Sequence, residues 1–271
     1  MKRVIIYFLC GVLSWQVSHA QELFSLTEPA SNMAAHSIGL RMNSTIMPDV
    51  SIHQNSIHYF PEVMVGISKR TMLHIESVVS SIGAHTAIEG AILYGKYRFY
   101  SEDDVHSHFR MAAYAQFAFN NSDIHQPAID FKGHNTGYEI GWVGTKLVNK
   151  LAVSTSISLL HALNNSSNRV FIYGNSNRNA VGYTLSVGKL LLPKEYVSYQ
   201  QVNMNGMMEI VGQTNLHTGR TFLDLAPIIQ FIFNSKIRLD AGYRFALSNQ
   251  LTRTAPEGWL FRFEYSIFNA F

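Results

Sequence analysis

The sequence predicts an all-β chain, a transmembrane antiparallel up-and-down β-barrel of about twelve strands, and three observations predict it. Apolar and polar residues alternate with a period of two from His36 to the end of the chain, which gives each segment one greasy and one polar face. The links between these segments alternate long and short, as they do when one end of a barrel carries loops and the other tight turns. Finally, no later segment is apolar over the roughly 20 residues a membrane helix needs, and mean hydropathy is +0.03. Lipid-facing and lumen-facing residues cancel in any hydropathy window, so that value is compatible with a barrel.

The chain opens Met1-Lys2-Arg3, runs apolar from Val4 to Trp15 with Gly11 and Ser14 interrupting, and reaches Ser18-His19-Ala20. A basic start, a short apolar middle and a small-x-small site predict a cleaved Sec-type signal over residues 1–20. The alternative, an N-terminal anchor, needs a longer apolar run. Cys10 is the single cysteine and lies in this segment, so disulfide and Cys-metal chemistry are not expected of the mature chain. Two of the 21 basic residues also fall here, leaving 19 against 18 acids. Nothing in that balance suggests a nucleic-acid partner.

Residues 21–35 carry Pro29, Ser31 and Asn32 without a period and read as a periplasmic lead-in. Residues 36–271 form the expected barrel. Its first strand, His36 to about Thr45, sets Ile38, Leu40 and Met42 against Ser37 and Arg41. The second, Tyr59 to Ser68, sets Val63, Val65 and Ile67 against Glu62. After the Ser68-Lys69-Arg70 corner, Leu73, Ile75 and Val79 oppose His74 and Glu76. The fourth, about Ile88 to Tyr100, opposes Leu93, Tyr97 and Phe99 to Tyr94, Lys96 and Arg98. The fifth alternates Phe109, Met111, Ala113, Ala115, Phe117 and Phe119 with His108, Arg110, Tyr114 and Gln116.

The sixth shows Tyr138, Ile140 and Trp142 against Glu139, and the seventh Leu151, Val153, Ile157 and Leu159 against serines. The eighth carries Val181, Tyr183, Leu185 and Val187. The ninth, Met204 to Gln213, is faint, so ten strands is the alternative. The tenth has Leu223, Leu225, Ile229, Phe231 and Phe233 opposite Asp224 and Gln230. Pro227 sits in its middle, where a closed barrel has no edge to hold it. The eleventh opposes Leu239, Tyr243 and Phe245 to Arg238, Asp240 and Arg244. Long links are expected at 46–58, 81–87, 120–133, 163–178 and 248–257, and short ones at 68–70, 147–150 and 234–236.

The twelfth segment, Trp259 to Phe271, places Trp259, Phe261, Phe263, Tyr265, Ile267 and Phe271 on one face, with Arg262, Glu264 and Ser266 between. It resembles the C-terminal strand of Gram-negative outer-membrane β-barrels. The resemblance spans the mature chain through pattern, not through a family-specific motif. It implies residence in the outer membrane among its lipids, and handling by periplasmic chaperones and the barrel-assembly machinery. It also implies that Phe271 is the assembly signal. A soluble sandwich or lipocalin-like barrel is the competing fold, but it leaves the aromatic ends of the strands without a purpose.

Polar parity assigns the lumen Lys96, Arg98, Arg110, Arg238, Arg244 and Arg262 against Glu62, Glu76, Glu139, Glu209, Asp224, Asp240 and Glu264. A channel selective for one ion sign shows a ring of that sign, and this interior is nearly neutral. It is either a mixed-charge conduit for small solutes or a bore closed by its own ion pairs. Twelve histidines include His53, His58, His125 and His134 at the outer end, weak candidates for metal because their spacing is not diagnostic. No H-E-x-x-H, G-x-S-x-G or phosphate-binding glycine loop occurs, so neither enzymatic chemistry nor a cofactor is expected. Two functions follow: a passive channel or transporter for small solutes, or a closed structural or surface-binding barrel.

Overall fold

The computed structural model describes residues 24–49, 54–82, 85–104, 107–166, 169–194 and 200–271. The expected signal over 1–20 and His53 lie outside these. The strands are β1 (Ser37–Asp49), β2 (Gln54–Gly66), β3 (Thr71–Ile82), β4 (His85–Asp103), β5 (Ser107–Asn120) and β6 (Gly137–Val148). They continue as β7 (Leu151–Ala162), β8 (Asn179–Leu192), β9 (Asn203–Asn215), β10 (Thr221–Phe233), β11 (Ile237–Asn249) and β12 (Gly258–Ile267). Each pairs antiparallel with its neighbours in sequence, and β1 pairs with β12 to close the ring. Closure leaves no unpaired sheet edge.

Burial runs opposite to that of a soluble protein. Outward residues such as Ile75 and Trp142 are 62% and 61% exposed, while inward Lys96 and Glu209 are 2% and 0% exposed. In water that arrangement would leave an apolar belt unsatisfied and desolvate the charges. In a bilayer the belt meets hydrocarbon, and the antiparallel ladders pair the strands' backbone donors within the barrel.

Turn chemistry explains one end of the ring, here called the terminal end because His36 and Ile267 lie there. Asn234 and Ser235 both have positive φ, 50° and 54°, the requirement of a type I′ hairpin turn. In the β6–β7 turn Asn149 alone has positive φ, 54°. Ser68 Oγ accepts from the backbone of Arg70 and Thr71 to shape the β2–β3 corner.

Several expectations are corrected. The links at 46–58 and 81–87 are mostly strand, because β1 and β2 keep pairing out to Asp49↔Gln54, and β3 and β4 to Ile82↔His85. Extending a registered hairpin satisfies its own backbone donors, so polar composition does not end it. β12 stops at Ile267, short of Phe271. Asn269 turns the chain with φ 53°, and the Phe271 ring packs edge-on against His36 at 5.4 Å.

β9 is a full strand, paired on both sides. Its pattern is faint because an outward position is Gly212, covered by the Tyr183 ring; a Cβ there would sit 2.3 Å from it. Pro227 is accommodated on its β11 side, where the register passes from Leu225↔Phe245 to Ile228↔Gly242 and skips it.

Candidate functional site

The lumen is built in two storeys, and the lower one holds the chain's own N-terminal segment. Residues 24–31 were expected in a periplasmic lead-in. They lie inside the terminal end of the bore instead, because their backbone and side-chain polar groups meet side chains from eight strands. Phe24 is buried against Met207 and Gly188, where a Cβ would lie 3.1 Å from its ring. The Glu209 carboxylate accepts the backbone N–H groups of Ser25 at 2.6 Å, Leu26 at 3.1 Å and Thr27 at 2.9 Å. Arg238 and Arg262 each donate to the Phe24 carbonyl at 2.9 Å, and Arg262 also to that of Ser25.

Further along, Glu28 pairs with Arg41 at 3.3 Å. Lys96 donates to the carbonyls of Pro29 and Ser31. Thr145 accepts from Ala30 N, and Arg110 donates to Ser31 Oγ. Ser186 completes the set at Thr27. A segment tied to β1, β4, β5, β6, β8, β9, β11 and β12 crosses the bore as a plug. Charge-assisted bonds of this kind are about twice as strong as neutral ones.

Behind the plug the charged side chains brace one another. Arg41 bridges Glu264 at 2.8 Å and Glu62 at 3.2 Å. Arg238 pairs with Asp240 at 2.7 Å, and Arg262 lies 4.0 Å from the same carboxylate. Of the expected lumen charges, Lys96, Arg110, Glu209, Arg238, Asp240, Arg262 and Glu264 thus belong to the plug's seat. Arg98 keeps the inward parity of its β5 partner Ala112, ahead of the bulge at Phe99, and lies at the terminal-end rim, where it donates to the Lys69 carbonyl at 2.7 Å.

The upper storey is capped by loops that fold inward. Ile129 of the 121–136 loop exchanges two hydrogen bonds with Gln213, at 2.9 and 2.8 Å. Asn120, Asn135 and Asn165 spend their amides on loop backbone, joining the 121–136 and 163–178 loops. Ile124, Ile129, Phe131 and Phe171 pack on Phe60, Val78 and Ile92. Lys132 reaches Glu76 at 3.0 Å. From the 250–257 loop, Arg253 forks onto Asp224 and lies 3.9 Å from the Phe222 ring centroid.

Between plug and cap lies a chamber of about 430 Å³, lined by Ser25–Glu28 below, Ile129–Lys132 and Arg253–Ala255 above, and the barrel wall around. Its polar groups are concentrated on β2–β6. His74 pairs with Glu62, and Tyr94 stacks between His74 and Tyr114 at 4.9 and 5.7 Å. Glu139 accepts from Tyr114 Oη at 3.0 Å and from Gln116. Gly141 makes the space for Tyr114, since a Cβ there would lie 2.8 Å from the ring. Across the bore, Arg244 donates to Met47 Sδ and the Ala255 carbonyl, with Asp224 3.7 Å away.

Sequence reasoning missed four charges that matter here. Arg41 has lumen parity in the first segment but was absent from the expected charge set. Glu28, Lys132 and Arg253 lie where no periodicity exists to place them. The histidines form no metal centre among the described residues, where no three His, Cys, Asp or Glu side chains converge. His58 stacks on Phe60 in the chamber wall, and the rings of His125 and His134 meet edge-on at 6.4 Å.

A closed ring of twelve tilted strands with an apolar exterior and a charged interior defines a transmembrane β-barrel, and the comparisons place its fold among those of the outer membrane. An outer-membrane channel from Pseudomonas putida F1 is similar over 90% of this chain and 99% of its own, with TM-score 0.56 and 11% identity. The NanC porin is similar over 85% of this chain and 98% of its own, with TM-score 0.50 and 10% identity. At these identities the likeness is one of fold. No family model and no curated protein matches the sequence.

Proposed function

We propose that this chain is a passive outer-membrane channel for small polar solutes, with its path through the central chamber and its terminal end closed at rest by the 24–31 plug. The observation that carries this reading is the chamber itself. About 430 Å³ of space is kept inside a barrel small enough to have been filled with side chains, as eight-stranded barrels are. Glu139 and Arg244 remain partly accessible within it. The solutes are small, because loops and plug leave no wide aqueous bore of the kind that 16–18 strands enclose.

The test is single-channel current in planar bilayers. The wild-type chain is expected to give small, intermittent currents. Arg262→Ala, which removes the donor to the Ser25 carbonyl and one of the two donors to that of Phe24, is expected to give larger and longer ones. Removing Arg262 also leaves Asp240 less compensated, so current should shift toward cations, most clearly at low salt, where screening extends over roughly 10 Å or more. The plug's many bonds favour a second reading, a barrel closed for good that acts structurally or at its surface. Silence from both proteins would select it.

A further inference from the structure

We infer that the chamber holds an extended zwitterion of short-peptide size, its ammonium on the β3–β6 wall and its carboxylate on Arg244. The inference rests on reading the chamber as the solute path. Most charges in the lumen are already matched: Arg41 by Glu62 and Glu264, Lys132 by Glu76, Arg253 by Asp224, Arg262 by Asp240. Two charges of the barrel wall stand apart in the chamber, besides Asp130 of the cap, whose carboxylate accepts the Lys132 backbone N–H. Glu139 has no ion-pair partner among the described residues and is oriented only by neutral donors. Arg244 is 3.7 Å from an aspartate that Arg253 already occupies, and its Nε is buried without a hydrogen bond.

These two groups face one another. Glu139 is on β6 and Arg244 on β11, five strands apart in a ring of twelve, and both lie in the loop-end half of their strands. On β3 and β4, on the same side of the ring and lining the same chamber, are further polar atoms that are buried and unpartnered: Tyr94 Oη, Glu76 Oε1 and His74 Nε2, with Glu76 and His74 only 5% and 4% exposed. Buried polar atoms are satisfied in the great majority of proteins, so acceptors left open on a chamber wall point to a donor that arrives. An ammonium supplies three donors and a positive charge. A carboxylate is the natural mate of a guanidinium fork.

Length selects the class of solute. Twelve strands about 4.8 Å apart, tilted by about 40°, make a ring roughly 20–25 Å across between backbones, which leaves roughly 10 Å between the inward charges. A single amino acid is too short to touch both walls. An extended peptide advances about 3.3–3.6 Å per residue, so about three residues bridge the gap. The chamber volume falls in the range of ordinary ligand pockets, roughly 300–1,000 Å³.

Calorimetric titration of the folded full-length barrel in detergent tests this with trialanine, N-acetyl-trialanine and trialanine amide. Trialanine should bind at least about tenfold more tightly than either capped form, in keeping with loss of one charge-assisted contact each. Glu139→Gln should weaken trialanine and its amide while leaving the N-acetyl form unchanged. Arg244→Gln should weaken trialanine and its N-acetyl form and spare the amide. No binding, or equal binding of all three peptides to the wild type, overturns the inference even where a variant fails to fold. The channel reading is judged separately by current: ions that pass without peptide binding sink this assignment alone, and peptide binding without current sinks the channel alone.

Discussion

Asp224 is 1% exposed, and Arg253, from a loop, is its closest cation. Breaking a buried pair from one side leaves an uncompensated charge, which costs about 3–5 kcal/mol. Arg253→Ala should therefore lower the stability of the barrel by that order, read as the shift in its urea unfolding midpoint in detergent. A change near zero would mean that water or Arg244 takes over the carboxylate. At this scale the sequence was only half legible. Parity placed Asp224, Asp240 and Glu139 inward, because a strand's period ties each residue to a face. It had no means of finding Arg253 or Glu28, whose partners are chosen by where a loop and a terminus fold.

The strands themselves were almost fully legible, since a period of two is read directly from neighbouring residues. β5 shows it best: Met111 and Ala113 point outward, while Arg110, Ala112 and Gln116 point in. Met111→Arg should cost about 2–4 kcal/mol near the bilayer midplane, and Gln116→Ser on the chamber side much less. The measurement is the folded fraction that resists heat before electrophoresis; equal tolerance at both sites would mean β5 does not span. Strand ends were legible less well, and the reason is the same in each case. β1–β4 continue past the apolar band because hairpin pairing persists after hydrophobicity stops. β12 stops early because Asn269 adopts a left-handed turn. The proposed role of Phe271 in assembly is open to deletion: loss of folded barrel supports it, and normal folded yield removes it.

For the whole molecule, the near-neutral lumen was foreseen but its purpose was not. Cations and anions on the inner wall suggested bracing across strands, and several do brace. Their larger assignment is to hold a piece of backbone, which offers carbonyls to Arg238, Arg262 and Lys96 and N–H groups to Glu209. Backbone groups have no side-chain signature, so residues 24–31 looked like an unremarkable linker. A cysteine at position 25 reports on this arrangement. Ser25→Cys should react slowly with a water-soluble maleimide, and at least about tenfold faster when combined with Arg262→Ala.

The stopper is also a leash. It joins β1 through His36, so residues 24–35 can stretch no farther than about 40 Å from the wall they leave. A released segment therefore returns at an effective concentration in the millimolar range, however dilute the protein. On the proposed channel reading, opening is a property of each molecule alone, brief and self-reversing, and a free peptide copying residues 24–35 would have to exceed millimolar levels to reclose an Arg262→Ala barrel. Block at micromolar peptide would show that the segment, once out, does not find its way back.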